Sequence, residues 1–304
     1  MQNIVVAVPL ISTCSNRAPG DNLIRVTIPN AATEINEKEF QNLATLAVIL
    51  IPNSIVKIGN YAFAGCSALT NIVIPNSVTK IGYCAFEDCS SLANITISNS
   101  IVKISEYAFA GCSALTHITI PDSVEEIGIY AFSHCSALTN ISIPDSVSKI
   151  GKFAFSDCSS LTSIIIPNSV TNIGPYAFLR CSSLTNITIP NRIQKISDFS
   201  FSKCSSLVHV VIPNSVTKIG HYAFESCSSL ISVVLPWSLE KIGSYTFAGC
   251  SSLVYVSIQS GLKIIGSYAF SSCTTLTELT IPNSVTTIES NAFENCPLLI
   301  LTLK

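Results

Sequence analysis

The sequence has 304 residues, of which 48% are hydrophobic and only 11% are charged, and its formal net charge is −2. A surface with so few ions must be built from Ser, Thr and Asn, and it lacks the basic region that neutralises phosphates, so nucleic acid is not an expected partner. The longest apolar run, at 43–51, is about half of the roughly 20 residues that a membrane-spanning helix needs, so membrane insertion is not expected either.

Residues 1–22 precede the regular part of the sequence. The apolar segment 3–10 has no Lys or Arg before it, which makes it a poor secretory signal. We expect residues 1–22 to form an N-terminal cap or lead-in, with 3–10 as an additional strand. Residues 23–304 are expected to form a single domain.

That domain is repetitive. Cysteine recurs every 23 residues from Cys66 to Cys296, and a phenylalanine stands three residues before each of these cysteines. A fixed period of this length is typical of a solenoid. Within one unit, "LTNIVI" alternates as a strand, "PN" or "PD" turns the chain, "VTKIG" predicts a shorter strand, and "NYAFAGCS" suits a helical or 3₁₀ turn. The prediction is a solenoid of about 12–13 repeats with a parallel β-sheet on one face and short strands and turns on the other.

The cysteine column is compatible with a nucleophile, a metal ligand, a disulfide or a small apolar side chain. Leu43 occupies the same position one repeat earlier, and leucine replaces a packing thiol but not a ligand or nucleophile. Packing as buried free thiols is therefore favoured. Two cysteines, Cys14 and Cys84, lie outside the column, and Cys84 is the one expected to be exposed.

Chemistry-bearing motifs are scarce elsewhere in the sequence. There is no C-x-x-C pair, no Cys/His cluster, no Ser–His–acid arrangement and no Gly-rich phosphate loop. We expect neither catalysis nor a bound metal or cofactor.

Residues that alternate with the strand isoleucines are expected to point outward on the sheet. Most of these positions hold Asn, Ser or Thr, but the C-terminal third is more apolar and aromatic. We predict a partner-binding surface there, while sequence drift on a tolerant surface is the alternative. Trp237, in the turn after its strand, is either an exposed contact residue or a packing residue at the sheet edge. The candidate residues are His209, Val211, Val234, Trp237 and Tyr255.

Two further columns are open to interpretation. Asn94, Asn140 and Asn186 each begin an N-glycosylation sequon in the middle of the sheet, which either carries glycans or is a by-product of an Asn/Thr-rich surface. A lysine row precedes the second isoleucine of each repeat; it is a solvated row that protects strand edges, or a stripe that binds acidic glycans. The row comprises Lys57, Lys80, Lys103, Lys149, Lys195, Lys218 and Lys241.

The last strand is predicted at 298–303, one residue early, and Lys304 is the last residue of the sequence. Because a final strand exposes unpaired backbone groups, we expect this end to be a contact surface between copies or the junction to a removed segment.

The unit "IPNSVTKIGHYAFESCSSL" (212–230) resembles the BspA-like leucine-rich repeat family, and the resemblance covers roughly 23–303. It implies a leucine-rich-repeat solenoid and a surface or secreted protein that binds host matrix proteins or host cells. The functional expectation is a non-enzymatic scaffold that binds a protein or glycoprotein. The alternative is a structural protein that self-assembles through its open C-terminal end.

Overall fold

The computed structural model describes residues 12–13 and 23–303, which form a solenoid in which each repeat adds one longer and one shorter strand. We call the surface formed by the longer strands the broad face and that formed by the two-residue strands the narrow face. The broad-face strands are Ile24–Thr27, Leu46–Leu50, Asn71–Val73, Asn94–Thr96, His117–Thr119, Asn140–Ser142, Ser163–Ile165, Asn186–Thr188, His209–Val211, Ser232–Val234, Tyr255–Ser257, Glu278–Ile281 and Ile300–Leu303. The narrow-face strands are Glu34–Ile35, Lys57–Ile58, Lys80–Ile81, Lys103–Ile104, Glu126–Ile127, Lys149–Ile150, Asn172–Ile173, Lys195–Ile196, Lys218–Ile219, Lys241–Ile242, Ile264–Ile265 and Thr287–Ile288.

Paired strands of successive repeats are parallel, and the 23-residue period sets their register. Asn71 pairs with Asn94 and Ile72 with Ile95, so each column seen in the sequence is a row of neighbours in space. The last pair joins Glu278 to Ile300, an offset of 22 residues. The predicted early start of the final strand is therefore confirmed.

The N-terminal edge of the broad face is paired with a short antiparallel strand. Ser12–Thr13 lies against Val26 and Thr27. The predicted strand at 3–10 and the predicted boundary after residue 22 lie outside the described residues.

The core of the solenoid is a stack of phenylalanine rings between the two strand faces. From Phe63 to Phe270 these rings are almost fully buried. In the middle of the chain, the Phe155 centroid lies 5.5 Å from that of Phe132 and 5.4 Å from that of Phe178, with interplanar angles of 7°. Strand isoleucines and leucines fill the remaining interior, so no repeat buries its apolar face without its neighbours.

The return segment, by which we mean the part of each repeat between its narrow-face strand and the next broad-face strand, was expected to contain a helical or 3₁₀ turn. The described residues contain turns there and no helix. Among them, therefore, no segment forms a helix that could span a membrane. Two residues per segment are left-handed, such as Tyr61 and Gly65 with φ of 55° and 73°. The N–H groups of Tyr61 and Phe63 donate to Tyr83 and Ala85 oxygens of the next repeat, both at 2.8 Å. The left-handed residues thus turn backbone donors along the solenoid axis, where they link repeats instead of closing a helix.

The cysteines of the column from Cys66 to Cys296, which we call the cysteine ladder, are free. Those from Cys66 to Cys273 are buried, which confirms the predicted packing role. Each thiol also donates a hydrogen bond to a phenylalanine carbonyl of the preceding repeat. Cys158 Sγ lies 3.2 Å from the Phe132 oxygen, which also accepts the Cys135 N–H at 3.2 Å. Burial raises the pKa of the Cys135 thiol to about 12, so these side chains stay protonated at neutral pH.

The expectation that Cys84 is exposed was wrong: its exposed fraction is 1%. The preceding residue, Tyr83, takes the place that tyrosine holds in other repeats. Its ring packs edge-on against Tyr61 and Tyr107, with centroid distances of 5.3 and 5.5 Å. The shift by one residue leaves the smaller cysteine inside, and burial raises the pKa of the Cys84 thiol to about 12. Cys14 lies outside the described residues.

Candidate binding surface

Three columns of side chains cover the broad face. Two come from alternate strand residues, such as Asn71 and Val73, because the intervening Ile72 points into the core. The third is the residue just before each strand, commonly threonine. Its side chain touches the first strand column: Asn186 Nδ2 donates to Thr185 Oγ1 at 3.1 Å.

The middle of the broad face is mostly polar, although Ile165 is exposed there. Asn94, Asn140 and Asn186 are all exposed there, and each is followed two residues later by an exposed Thr or Ser on the same face. The three sequons therefore project from one surface, with one sequon in every second repeat.

The C-terminal third of the broad face carries a group of exposed apolar side chains. Val211 is 60% exposed, and Val234 and Tyr255 are each 56% exposed. Tyr255 pairs with Ser232, which in turn pairs with the exposed His209, so these residues occupy three successive repeats. We call Val211, Ile231, Val234, Val254 and Tyr255 the apolar patch.

Sequence reasoning missed two members of this patch. Ile231 and Val254 precede their strands and are 45% and 49% exposed. Strict alternation would turn this position inward, but the strand begins one residue later and the side chain remains at the surface. The other repeats did carry a sequence signal that this position faces solvent, because the same column holds the polar residues Thr116, Thr139 and Thr162.

Trp237 lies in the turn that follows the Ser232–Val234 strand and is 63% exposed. Of the two interpretations that the sequence allowed, the structure shows the exposed one. Its position extends the apolar surface from the broad face onto the adjoining edge.

Most narrow-face lysines are solvated, and several form ion pairs with acids of neighbouring repeats. Glu126 lies 2.9 Å from Lys149 and 3.5 Å from Lys103. The hydrogen bond from Lys149 lowers the pKa of the Glu126 carboxyl. Because these pairs are exposed, each contributes little to stability.

No cluster of three or more His, Cys, Asp or Glu side chains suited to a metal ion occurs within 12–13 and 23–303. His117 and His209 lie exposed in the same column four repeats apart. The broad face is an extended surface with a mostly polar centre and the apolar patch in its C-terminal third. Further exposed apolar side chains, Leu50 and Val73, stand on its N-terminal repeats.

A family model matches this sequence over almost its whole length. The model is that of the BspA type leucine-rich repeat region, in six copies, and the matches span residues 19–139, 102–230 and 194–304. No functionally curated protein matches the sequence.

Solved structures share the fold. A leucine-rich repeat protein from Bacteroides ovatus is 30% identical, with a TM-score of 0.69, and the alignment covers 92% of this chain and 83% of that one. A leucine-rich cell surface protein from Faecalibacterium prausnitzii is also 30% identical, with a TM-score of 0.61 and coverage of 94% and 91%. The pneumococcal vaccine antigen PcpA shows the same fold at 20% identity, with a TM-score of 0.58 and coverage of 91% and 79%.

Proposed function

The chain belongs to the BspA-type leucine-rich repeat family, and we propose that it is a non-enzymatic recognition scaffold whose broad face binds a protein or glycoprotein. Leucine-rich repeat proteins are generally protein-interaction scaffolds. The observation that carries the proposal is the apolar patch, which places five exposed apolar side chains on three successive repeats beside the mostly polar centre of the face. Contiguous exposed apolar surface on a soluble protein marks interaction sites.

Several features suit the patch to binding. Its side chains stand on paired strands, and backbone hydrogen bonds link the neighbouring repeats along the solenoid axis. The backbone is therefore already ordered, so little conformational entropy is lost when a partner docks. Tyr255 supplies an aromatic ring with a polar tip, the type of side chain that dominates interface energetics. Trp237 at the adjoining edge adds a second large contact residue.

The location and partner class follow as a finer proposal. The structurally similar F. prausnitzii protein is a cell surface protein. We propose that this chain likewise acts at the cell surface or after secretion, as an adhesion module for a host matrix or host-cell glycoprotein. Glycans on Asn94, Asn140 and Asn186, if the secretory route adds them, would cover the middle of the broad face and shift binding toward the C-terminal third, which holds the apolar patch, or toward the convex side.

Replacing Val234 with Lys should abolish partner binding, because a charge would then have to be desolvated at the centre of the interface. Tyr255→Ala should weaken binding by about 2 kcal/mol or more, roughly 30-fold, as expected for a central aromatic. The measurement is the affinity of purified wild type and variants for matrix glycoproteins in a surface-binding assay.

Ile165→Lys is the matched control. Ile165 occupies the same column as Val234 and is 81% exposed, but its paired neighbour Ser142 is polar. The control should bind like the wild type. Equal losses in the Val234 and Ile165 variants would show that the apolar patch has no special role.

A second candidate function is self-assembly through the C-terminal end. In the strand Ile300–Leu303 every residue is exposed, and Leu301 and Leu303 are 43% and 76% exposed. Among the described residues this strand pairs only with Glu278–Ile281, and no other described strand covers its second edge. A second copy docked there would cover both the edge and the leucines.

If assembly uses this end, replacing Leu301 and Leu303 with Lys should convert oligomers into monomers, since two charges would lie in the contact. Light scattering of wild type and double variant gives the answer. A wild type that is monomeric over the whole concentration range would rule out self-assembly and leave the recognition proposal untouched.

A further inference from the structure

The narrow face carries a run of three lysines on consecutive repeats, Lys195, Lys218 and Lys241. They pair in register, Lys195 with Lys218 and Lys218 with Lys241. The ammonium groups therefore project from strands about 4.8 Å apart. Like charges directly opposite each other on paired strands are destabilising, so such a run calls for a compensating anion.

An earlier run in the same row shows how the protein itself provides compensation. Lys57, Lys80 and Lys103 also stand on consecutive repeats. Glu34 lies 3.1 Å from Lys57 at one end, and Glu126 lies 3.5 Å from Lys103 at the other. Each end of this run is closed by a carboxylate.

The second run lacks this arrangement at its N-terminal end. Asn172, which has no charge, precedes Lys195 in the row. Arg192 and Lys195 together line a cavity of about 440 Å³, so a further cation stands at this end of the run. Among the described residues, neither Lys195 nor Lys218 has a carboxylate within ion-pair distance. Only Lys241 is paired, with Glu289 at 3.7 Å.

The three lysines also line a second cavity of about 160 Å³, together with His221 and Asp198. Asp198 is not within ion-pair distance of the lysines, and one of its oxygens accepts the backbone N–H of His221 at 3.1 Å. Besides Asp198 and Glu289, the acid next to the run is Glu240, which is exposed beside Lys241. These three acids stand against four cations, Arg192 and the three lysines. The local charge stays positive on a protein whose formal net charge is −2.

We propose that Arg192, Lys195 and Lys218 form a binding site for a linear sulfated polysaccharide, with Lys241 at its end. The three lysines follow one another in register on consecutive strands, with Arg192 beside the first, which suits a single extended chain with closely spaced anions. Lysine binds sulfate as a point charge without demanding one orientation, so successive sulfate groups can occupy the row in more than one register. The site lies on a different face from the apolar patch and acts independently of it.

The probe is a fully sulfated heparin hexasaccharide, and the measurement is its Kd as a function of salt. Lys218→Glu should raise Kd about tenfold at low salt and reduce the slope of log K against log salt concentration by about one to two. Folding should be preserved, because the variant reproduces the Lys–Glu–Lys order found at Lys103, Glu126 and Lys149.

Two matched variants sharpen the test. Lys80→Glu makes the same change in the compensated run and should leave Kd within about twofold of the wild type. Glu126→Lys removes the central carboxylate between Lys103 and Lys149 and should increase affinity about tenfold by creating a second uncompensated run.

The proposal fails if the wild type does not bind the hexasaccharide at low salt, or if Lys80→Glu and Lys218→Glu weaken binding equally. It also fails if a single-stranded oligonucleotide of the same charge binds as tightly as the hexasaccharide, because the site would then be a general polyanion site. Lys218→Glu should leave the affinity for a partner of the apolar patch unchanged, so failure here is distinguishable from failure of the proposed function.

Discussion

Raising the pH from about 8 to about 10.5 under reducing conditions should unfold the protein over a narrow range, because of its buried thiols. Ten ladder cysteines, from Cys66 to Cys273, are free and buried. Burial raises the pKa of the thiols of Cys135, Cys204 and Cys250 to about 12. In the unfolded chain a thiol titrates near its usual pKa of about 8.5.

The sign of the effect follows from proton linkage. Between the unfolded and folded pKa values the native state holds protons that the unfolded state has lost, so stability falls as pH rises. The contribution of each thiol is fully present below the unfolded pKa and is lost as the pH rises through the folded pKa. Each ladder thiol therefore lowers the free energy of unfolding by about 1.4 kcal/mol per pH unit above about pH 9.

The measurement is urea unfolding followed by circular dichroism at a series of pH values. Replacing Cys135, Cys158 and Cys181 together with Val is the control, since it keeps apolar packing and removes three titrating groups. The slope of unfolding free energy against pH should then become shallower by about 4 kcal/mol per pH unit. A stability that stays flat from about pH 9 to about pH 10.5 would contradict the buried, reduced state of the ladder.

Phe155→Ala should lower the free energy of unfolding by about 3–5 kcal/mol, because it opens a cavity in a fully buried stack. The ring contacts Phe132 on one side and Phe178 on the other, so one substitution removes two ring contacts. The loss should appear as a lower urea midpoint.

Phe153 provides an internal comparison for this prediction. It is half-buried and stacks between Tyr130 and Tyr176, with centroid distances of 4.5 and 4.4 Å. Phe153→Ala should cost about 1–2 kcal/mol, since water already reaches the ring. If the two alanine variants are equally destabilised, the stability of the repeat does not depend on the inner stack.

The strand register was predictable because every repeat carries the same chemistry at the same place. Ile72, Phe63 and Cys66 each belong to a column, and a column with a fixed period can only become a row of neighbours. Leu43, which occupies the thiol position one repeat before Cys66, was sufficient to predict that the cysteine column packs in the core. The hydrogen bond from each thiol to a phenylalanine carbonyl was not predictable, since it depends on where the return segment places that oxygen.

Departures from the average repeat were harder to predict. Cys84 replaces a tyrosine in its column, and the ring of the preceding residue, Tyr83, occupies the place of the missing tyrosine ring. Comparing one column at a time does not show that two adjacent residues have exchanged their roles. The return segment was misjudged because left-handed residues other than glycine, such as Tyr61, carry no sequence signal of that conformation.

The candidate surface was predictable in part. The positions of Val211, Val234 and Tyr255 follow from alternation alone. Ile231 and Val254 were missed because the strand starts one residue later than the alternation suggests. The imbalance in the lysine row depends on which acids lie within reach across repeats, and that distance is a property of the folded chain.

Site-specific photo-cross-linking tests the central claim, that the apolar patch binds the partner, most directly. A photoreactive phenylalanine analogue is placed at Val234 in one variant and at Ile165 in another, and each is irradiated with the purified glycoprotein that the wild type binds. Both positions are exposed in the same column, so only proximity to the partner separates them. If the apolar patch binds the partner, position 234 gives a cross-linked product and position 165 gives none. A product from position 165 alone, or equal products from both, would contradict it.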